Sequence, residues 1–290
     1  MAVLSNTGIR AGASIVTASY SSDPAEDAST VKRSARFNDD DSAYLSQTFA
    51  TGNRKIWTWS GWVKRSSFGA ASQTLMQLFP SGMGYTRLRF VSDQLAFDGQ
   101  DASAGSGSDV KTNRLFRDPS AWYHICVAMD TTQATDTNRL KMYVNGVQET
   151  SFDSPTWPTQ NVDYMFNYAH AHNIGRHDGA TDYFDGLISN IHFIDGQALD
   201  ASYFGITNST TGQWVPGDYI GDYGTNGFHL KMDPTNGGTN WTSGVTTDTG
   251  LAFDANGPAA KRLMVSPLIK VIPQRRHKIQ LIFSLTVQLH

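Results

Sequence analysis

The chain has 290 residues and a formal charge of −3, with 23 Lys and Arg against 26 Asp and Glu. That length buries a full core, and the charge leaves no electrostatic footprint for nucleic acid. A single cysteine, Cys126, excludes a disulfide framework and a Cys-based zinc site.

No run of 18 apolar residues is present, so membrane insertion by a helix is not expected. The N-terminal sequence lacks the basic-then-apolar pattern of a signal peptide. Glu occurs only at Glu26 and Glu149, and every other acidic residue is Asp. Glu favours helices and Asp favours turns, so the imbalance points to strands and turns.

Residues 1–31 read as an N-terminal arm or linker, rich in Ala, Ser, Thr and Gly, with little to bury. Residues 32–232 read as a domain of short strands. Ile56–Val63 is a strand with aromatics on both faces, and Thr86, Leu88 and Phe90 alternate with Arg87 and Arg89. Trp122–Met129 is nearly continuous apolar, as in a central strand, and Leu140, Met142 and Val144 alternate with polar neighbours. Leu187, Ile191 and Phe193 are placed on one face, with Asn190 and His192 on the other. Asp-Gly pairs at 98–99, 178–179, 185–186 and 195–196, and Asn-Gly pairs at 145–146, 226–227, 236–237 and 256–257, supply the positive-φ residues of tight turns. Val144-Asn145-Gly146-Val147 is the clearest hairpin, and Ala198–Phe204 the one helical turn. Such short strands indicate a β-sandwich or barrel.

Residues 233–260 continue a turn-rich stretch that includes Trp214, Phe228, Leu230 and Trp241 as anchors; they extend the sandwich or start a second module. Residues 261–290 differ in kind: six Lys or Arg, many Leu, Ile and Val, and no Asp, Glu, Gly, Ala, Asn or Tyr. A strand pair for a partner, a basic interaction tail and a shifted reading frame are the three readings of this tail.

Four motifs carry a resemblance. Trp57–Lys64, Trp122–Asp130, Arg139–Gly146, and Asn173–Arg176 followed by Tyr183–Phe193 and Gln197–Leu199 resemble, in order, the strands and hairpin of concanavalin A-like, laminin-G-like domains. The resemblance implies an all-β, two-sheet antiparallel jelly-roll sandwich that binds carbohydrate or protein, in some members with a calcium ion. Leu4–Ser14, Arg33–Asn38 and Ala43–Leu45 are similar to tail-fibre or particle-surface proteins of marine tailed bacteriophages. That likeness implies a virion location, partners among other virion proteins, a homotrimer, and host surface polysaccharide or lipopolysaccharide as ligand.

The candidate ligand-binding residues are Trp157, Tyr168, His170, His172, Arg176, His177, Asp178 and Asp182. Trp157 lies between Pro155 and Pro158, and a stiff loop Trp is a platform for sugar C–H faces. The alternative is a loop anchor packed on the sandwich. The histidines and aspartates form the densest polar cluster, and Tyr168, His170 and His172 share one face if the segment is extended. A ligand-contacting loop, a metal site built on Asp178 and Asp182 with calcium as the ion, and a plain polar hairpin are its alternatives. Arg87 and Arg89 read as a solvated face or a clasp for an acidic glycan. Neither Glu lies in the Glu-x-Asp-x-Glu strand of the glucanases that share this fold, and no Gly-x-Ser-x-Gly elbow occurs, so no enzyme is expected. A structural decoration or assembly protein, and an Asp-based glycan-degrading enzyme, stand as alternatives to a binding module.

Overall fold

The computed structural model describes residues 33–232 apart from 41, 104, 106, 179 and 180. The arm 1–31 with Glu26, the extension 233–260 with Trp241, and the tail 261–290 lie outside the described residues. The described strands are β1 (Ala35–Phe37), β2 (Leu45–Thr48), β3 (Ile56–Arg65), β4 (Gln73–Leu78), β5 (Thr86–Val91), β6 (Gln94–Gln100), β7 (Gly107–Leu115), β8 (Tyr123–Asp130), β9 (Leu140–Val144), β10 (Val147–Gln148), β11 (Ala171–Ile174), β12 (Gly186–Asp195), β13 (Gly205–Thr207), β14 (Trp214–Pro216) and β15 (Phe228–Leu230).

They form two sheets packed face to face. The first runs β1-β12-β3-β8-β9-β10, and the second β2-β11-β4-β5-β6-β7. β15 also pairs with β12, and β13 with β14 makes a separate ribbon. All of these pairings are antiparallel. This is the two-layer jelly-roll architecture expected of the motifs.

Period-2 alternation builds the core. On β5, Thr86, Leu88 and Phe90 are buried while Arg87, Arg89 and Val91 are only partly so. Trp57 and Trp59 point inward from β3. Trp57 meets Phe166 edge-on at 5.1 Å and stacks on Phe193 at 6.1 Å. Each such ring pair contributes about 0.5–1.5 kcal/mol beyond its buried area.

Two irregularities reset which side chains face in. A bulge on β4 between Thr74 and Met76 lets both Leu75 and Met76 enter the core, so every residue of that strand is buried. A second bulge on β12, with Asn190 at φ 49°, inserts one residue between Ser189 and His192. Ile188 therefore shares the core with Ile191 and Phe193, in place of the expected Leu187. The pair Asp98-Gly99 is also not a turn. It lies inside β6, with Gly99 under the Tyr164 ring. The tight turn of that hairpin is Ser92-Asp93, at φ 47° and 71°.

Beyond β12 the chain crosses the outer face of the first sheet as a strap, and its helical turn is a short 3₁₀ segment, Ala201–Tyr203, capped by Asp200. Phe204, Trp214, Tyr219 and Tyr223 pack there with Cys126, Tyr143 and Ile194. The Trp214 indole donates to His124 Nδ1 at 3.0 Å, and the Tyr223 hydroxyl meets His192 Nδ1 at 2.8 Å. Residues 208–232 thus extend the sandwich. β1 and β15 sit end to end along the same edge of β12, with Ala35 opposite Ile188 and Leu230 opposite Ile191.

Candidate functional site

The outer face of the second sheet carries the site. Ser46, Asn173, Gln77, Arg87, Asp98 and Asp109 are register partners in turn across all six strands. Cross-strand partners share a face, so they form one polar row spanning the sheet. Arg87 marks that face as the outer one, because its neighbour Leu88 is in the core.

At the centre of the row two arginines hold one carboxylate. Arg87 donates to Asp98 Oδ2, with Nε at 2.9 Å, and Arg89 Nε donates to Oδ1 at 2.8 Å. Arg89 Nη1 also reaches Ser72 Oγ at 3.0 Å. Asp98 is buried beneath the two guanidinium groups, which are themselves partly accessible.

Beside them, Gln77 is fully buried, yet neither of its amide atoms has a partner among the described residues. Asn173 Oδ1 and Thr74 Oγ1 are in the same state on the neighbouring positions. An unmet buried polar atom costs about 1–3 kcal/mol, so three residues of this kind on one face call for an explanation.

Three half-buried rings flank the row on one side, beside Gln77 and Arg87. His177 lies 5.3 Å from Phe79, and Phe79 lies 5.6 Å from Tyr85. The Arg87 guanidinium sits 4.6 Å above the Tyr85 ring. Burial, and then Asp98, push the Tyr85 hydroxyl up, so it remains a phenol at neutral pH. Burial and Arg87 hold His177 below its ordinary value, against the pull of Asp182 and Asp178. The backbone brings the His177 turn here: His177 N donates to Thr181 O, and Thr74 N donates to Asp182 O at the β4 bulge.

The residues singled out in the sequence therefore divide. His177, Asp178 and Asp182 reach this face beside Arg87 and Arg89. Arg176 turns to the β2 side, where its guanidinium lies 3.3 Å above the Tyr44 ring. Tyr168, His170 and His172 are not on one extended face. His170 N donates to Tyr168 O at 2.7 Å, which folds the segment into a tight turn, and Tyr168 packs against the core under Arg54. His172 points inward, stacked on Phe49 at 3.9 Å. Its Nδ1 is 3.0 Å from His170 O and its Nε2 accepts from Asn167 N, so both ring nitrogens are spent. Trp157 stands apart. Its segment bridges to β7, the edge four strands from β11 and about 19 Å away at sheet spacing. Its ring packs edge-on against Phe152 and on the core.

Phe79, Tyr85, Gln77 and Asn173 were not singled out in the sequence. The register that aligns them joins segments up to about a hundred residues apart. The only local signal was the polar outer face of β5.

Calcium takes six to eight oxygen ligands. The His177–Asp182 turn brings two carboxylates, and no group of three or more His, Cys, Asp or Glu that could hold a metal ion occurs among the described residues. The residues described there do not by themselves make a calcium cage.

Two other places carry polar side chains of comparable chemistry. A cleft of about 230 Å³ on the first sheet is lined by Asp130, Lys141, Tyr143 and Asp200. Its carboxylates already serve local turns: Asp130 accepts from Thr132 and Gln133, and Asp200 caps Ser202. Ser60 Oγ lies 2.8 Å from His124 Nε2, the spacing of a nucleophile and its base. The Trp214 indole can only donate, so His124 Nδ1 must accept and the proton of the neutral ring sits on Nε2. His124 then donates to Ser60 and cannot take its proton. Burial holds that ring neutral, lowering it to about 3.

Residues 37–202 match the Laminin_G_3 model, the concanavalin A-like lectin/glucanases superfamily. No curated protein sequence matches the chain. Among solved structures, the chain is similar to a Bacteroides ovatus ATCC 8483 protein described as carbohydrate binding, at 16% identity and a TM-score of 0.48, over 77% of this chain and 56% of that one. It is similar to the heptameric SAP-like pentraxin of Limulus polyphemus at 19% identity and a TM-score of 0.42, over 67% of this chain and 94% of that one. It is similar to tailspike protein 2 of the Escherichia coli O157:H7 bacteriophage CAB120 at 12% identity and a TM-score of 0.41, over 58% of this chain and 23% of that one. With TM-scores of 0.48, 0.42 and 0.41 and identities of 16%, 19% and 12%, none of the three decides the fold or the function of this chain. With the two-sheet sandwich and the family match over more than half its length, the chain belongs to the concanavalin A-like lectin/glucanases superfamily.

Proposed function

We propose that the chain is a carbohydrate-binding module of a phage virion protein, which holds host surface polysaccharide or lipopolysaccharide and aids adsorption. The polar row across the second sheet carries the binding half of this reading. Its amides and guanidinium groups donate, and its amide and carboxylate oxygens accept, a mixture suited to sugar hydroxyls. Phe79, Tyr85 and His177 offer apolar ring surface to sugar C–H faces.

The virion half rests on the likeness of Leu4–Ser14 and Arg33–Asn38 to phage particle proteins. Other virion proteins and a homotrimer are the partners in this reading, because many weak sites on one particle gain by effective concentration. Binding is favoured over catalysis in this reading because both Asp98 oxygens are engaged by arginines and the Ser60–His124 pair is set the wrong way for attack.

The test is retention of the full chain on a panel of bacterial surface polysaccharides and lipopolysaccharides, with calcium and with a chelator. Specific retention is expected. Gln77→Leu should weaken it about tenfold, the loss of roughly one good hydrogen bond. The same change should leave folding stability equal or higher, because it removes an unmet buried amide. Trp157→Ala should leave retention intact and lower stability by about 1–3 kcal/mol through lost packing. Retention on none of the panel sinks this reading and leaves a decoration or assembly protein.

A further inference from the structure

We propose that the sugar held on the second sheet carries a carboxylate, gripped by Arg87 and Arg89; this rests on the glycan-binding reading and narrows its ligand to acidic polysaccharides. Two guanidinium groups share a single carboxylate, so the triad keeps one net positive charge. The negative member is sunk: Asp98 is 4% exposed, with both oxygens engaged. The positive members lie above it. Arg89 Nη2 has no partner among the described residues, whereas Nε and Nη1 are taken by Asp98 and Ser72.

Ala96 stands opposite Arg89 on one side and Lys111 on the other. Arg89 and Lys111 thus share the outer face on either side of the buried Ala96. Lys111 is only loosely tied, 3.8 Å from the half-exposed Asp153. A planar carboxylate suits the planar fork of an arginine, which offers two parallel N–H donors. The unpaired Gln77, Asn173 and Thr74 atoms sit next in register, where ring hydroxyls of the same sugar would meet them. Phe79 and Tyr85 supply the face on which the ring lies. Charge and hydroxyl recognition are thus adjacent on one face, at the spacing of neighbouring strands, about 4.8 Å.

The experiment measures binding of the full chain to polygalacturonate, hyaluronate and polysialate, each beside its own carboxyl-reduced form. The acid form of at least one polymer should bind about tenfold more tightly than its reduced form, the margin of one charge-assisted contact. That margin should shrink with added salt. Arg89→Gln should erase it while Arg87 still holds Asp98 and keeps the fold, and Arg89→Lys should restore part of it, because charge returns without the fork. Gln77→Leu should weaken acid and reduced forms alike. Equal binding of acid and reduced forms, or a margin that Arg89→Gln leaves untouched, overturns the carboxylate while glycan binding stands. Binding of neutral surface glycans with none of the acid polymers also overturns it. Absence of binding to every glycan overturns both readings.

Discussion

Arg65 is fully buried and still carries its charge. Its Nη1 lies 3.0 Å from Asp93 Oδ1, its Nε and Nη2 donate to Gln73, and its guanidinium stacks 4.4 Å from the Phe90 ring. Asp93 completes the set by accepting from the Gly69 amide and from Arg117. Burial pushes the Asp93 carboxyl up, and those hydrogen bonds more than reverse it, leaving it below its usual range. Asp93→Ala strands a buried guanidinium and should cost about 3–5 kcal/mol, measured as the loss in urea unfolding free energy. A loss under about 1 kcal/mol would mean that Arg65 finds water. None of this was visible in the sequence, which marked Asp98-Gly99 as the turn. A dipeptide carries its local turn preference wherever it lies, but Asp98 is held in a strand by arginines on the next one. The side chains that decided its place were 9 and 11 residues away.

Elements were more legible than their contacts. The strand at 86–91 and the start of that at 140–144 follow the alternation that the sequence displays, and those at 56–65 and 123–130 are the apolar runs buried on both faces. The Asn145-Gly146 hairpin has both central residues at positive φ, 49° and 80°, as a two-residue turn requires. Gly146 has a second reason to lack a side chain, since a Cβ there would fall 2.4 Å from the Trp214 ring. Gly146→Ala should therefore cost more than its backbone strain, about 1–3 kcal/mol in all. It should also alter the near-ultraviolet dichroism of Trp214, because the strap must lift; an unchanged signal would argue that the turn alone adjusts. Bulges were the illegible part. One inserted residue on β12 reverses the parity of everything after it, and Leu187 and Ile188 are equally apolar, so the pattern alone assigns the wrong one to the core. The candidate site suffered likewise: the His177 turn stood out locally, but the row it borders is assembled from six strands.

At the scale of the molecule, three histidines among the described residues are buried and neutral. From an ordinary value of 6.5, burial takes His124 and His172 to about 3, and takes His192 well below the ordinary value with the help of His229, His124 and Lys231. Between pH 6.5 and 3 the unfolded chain binds protons that the folded chain refuses. Stability is thus complete above 6.5 and falls as the pH drops toward 3. Each group contributes about 1.4 kcal/mol per pH unit, so the three together remove about 4 kcal/mol per unit from a total of about 5–15. Urea midpoints should fall steeply between pH 6 and 4, and His192→Phe should flatten that slope by about a third. A midpoint constant from pH 7 to 5 would show that these rings are protonated in the folded state. Two of the three, His124 and His192, lie between the first sheet and its strap, so acid should loosen that side first, leaving the polar row of the second sheet in place.

The shared edge of β12 has a further consequence. Ala35 and Leu230 face positions only three residues apart on that strand, about 10 Å along it; β15 arrives at that point and β1 departs from it, both in the direction antiparallel to β12. The sandwich therefore hangs from one place, entered and left through a gap little wider than a single side chain. Such a body can be spliced into a longer backbone, or permuted by joining residue 232 to residue 33, without disturbing its layers. Both ends of the described body thus lie along one edge of the first sheet, in the layer opposite the polar row.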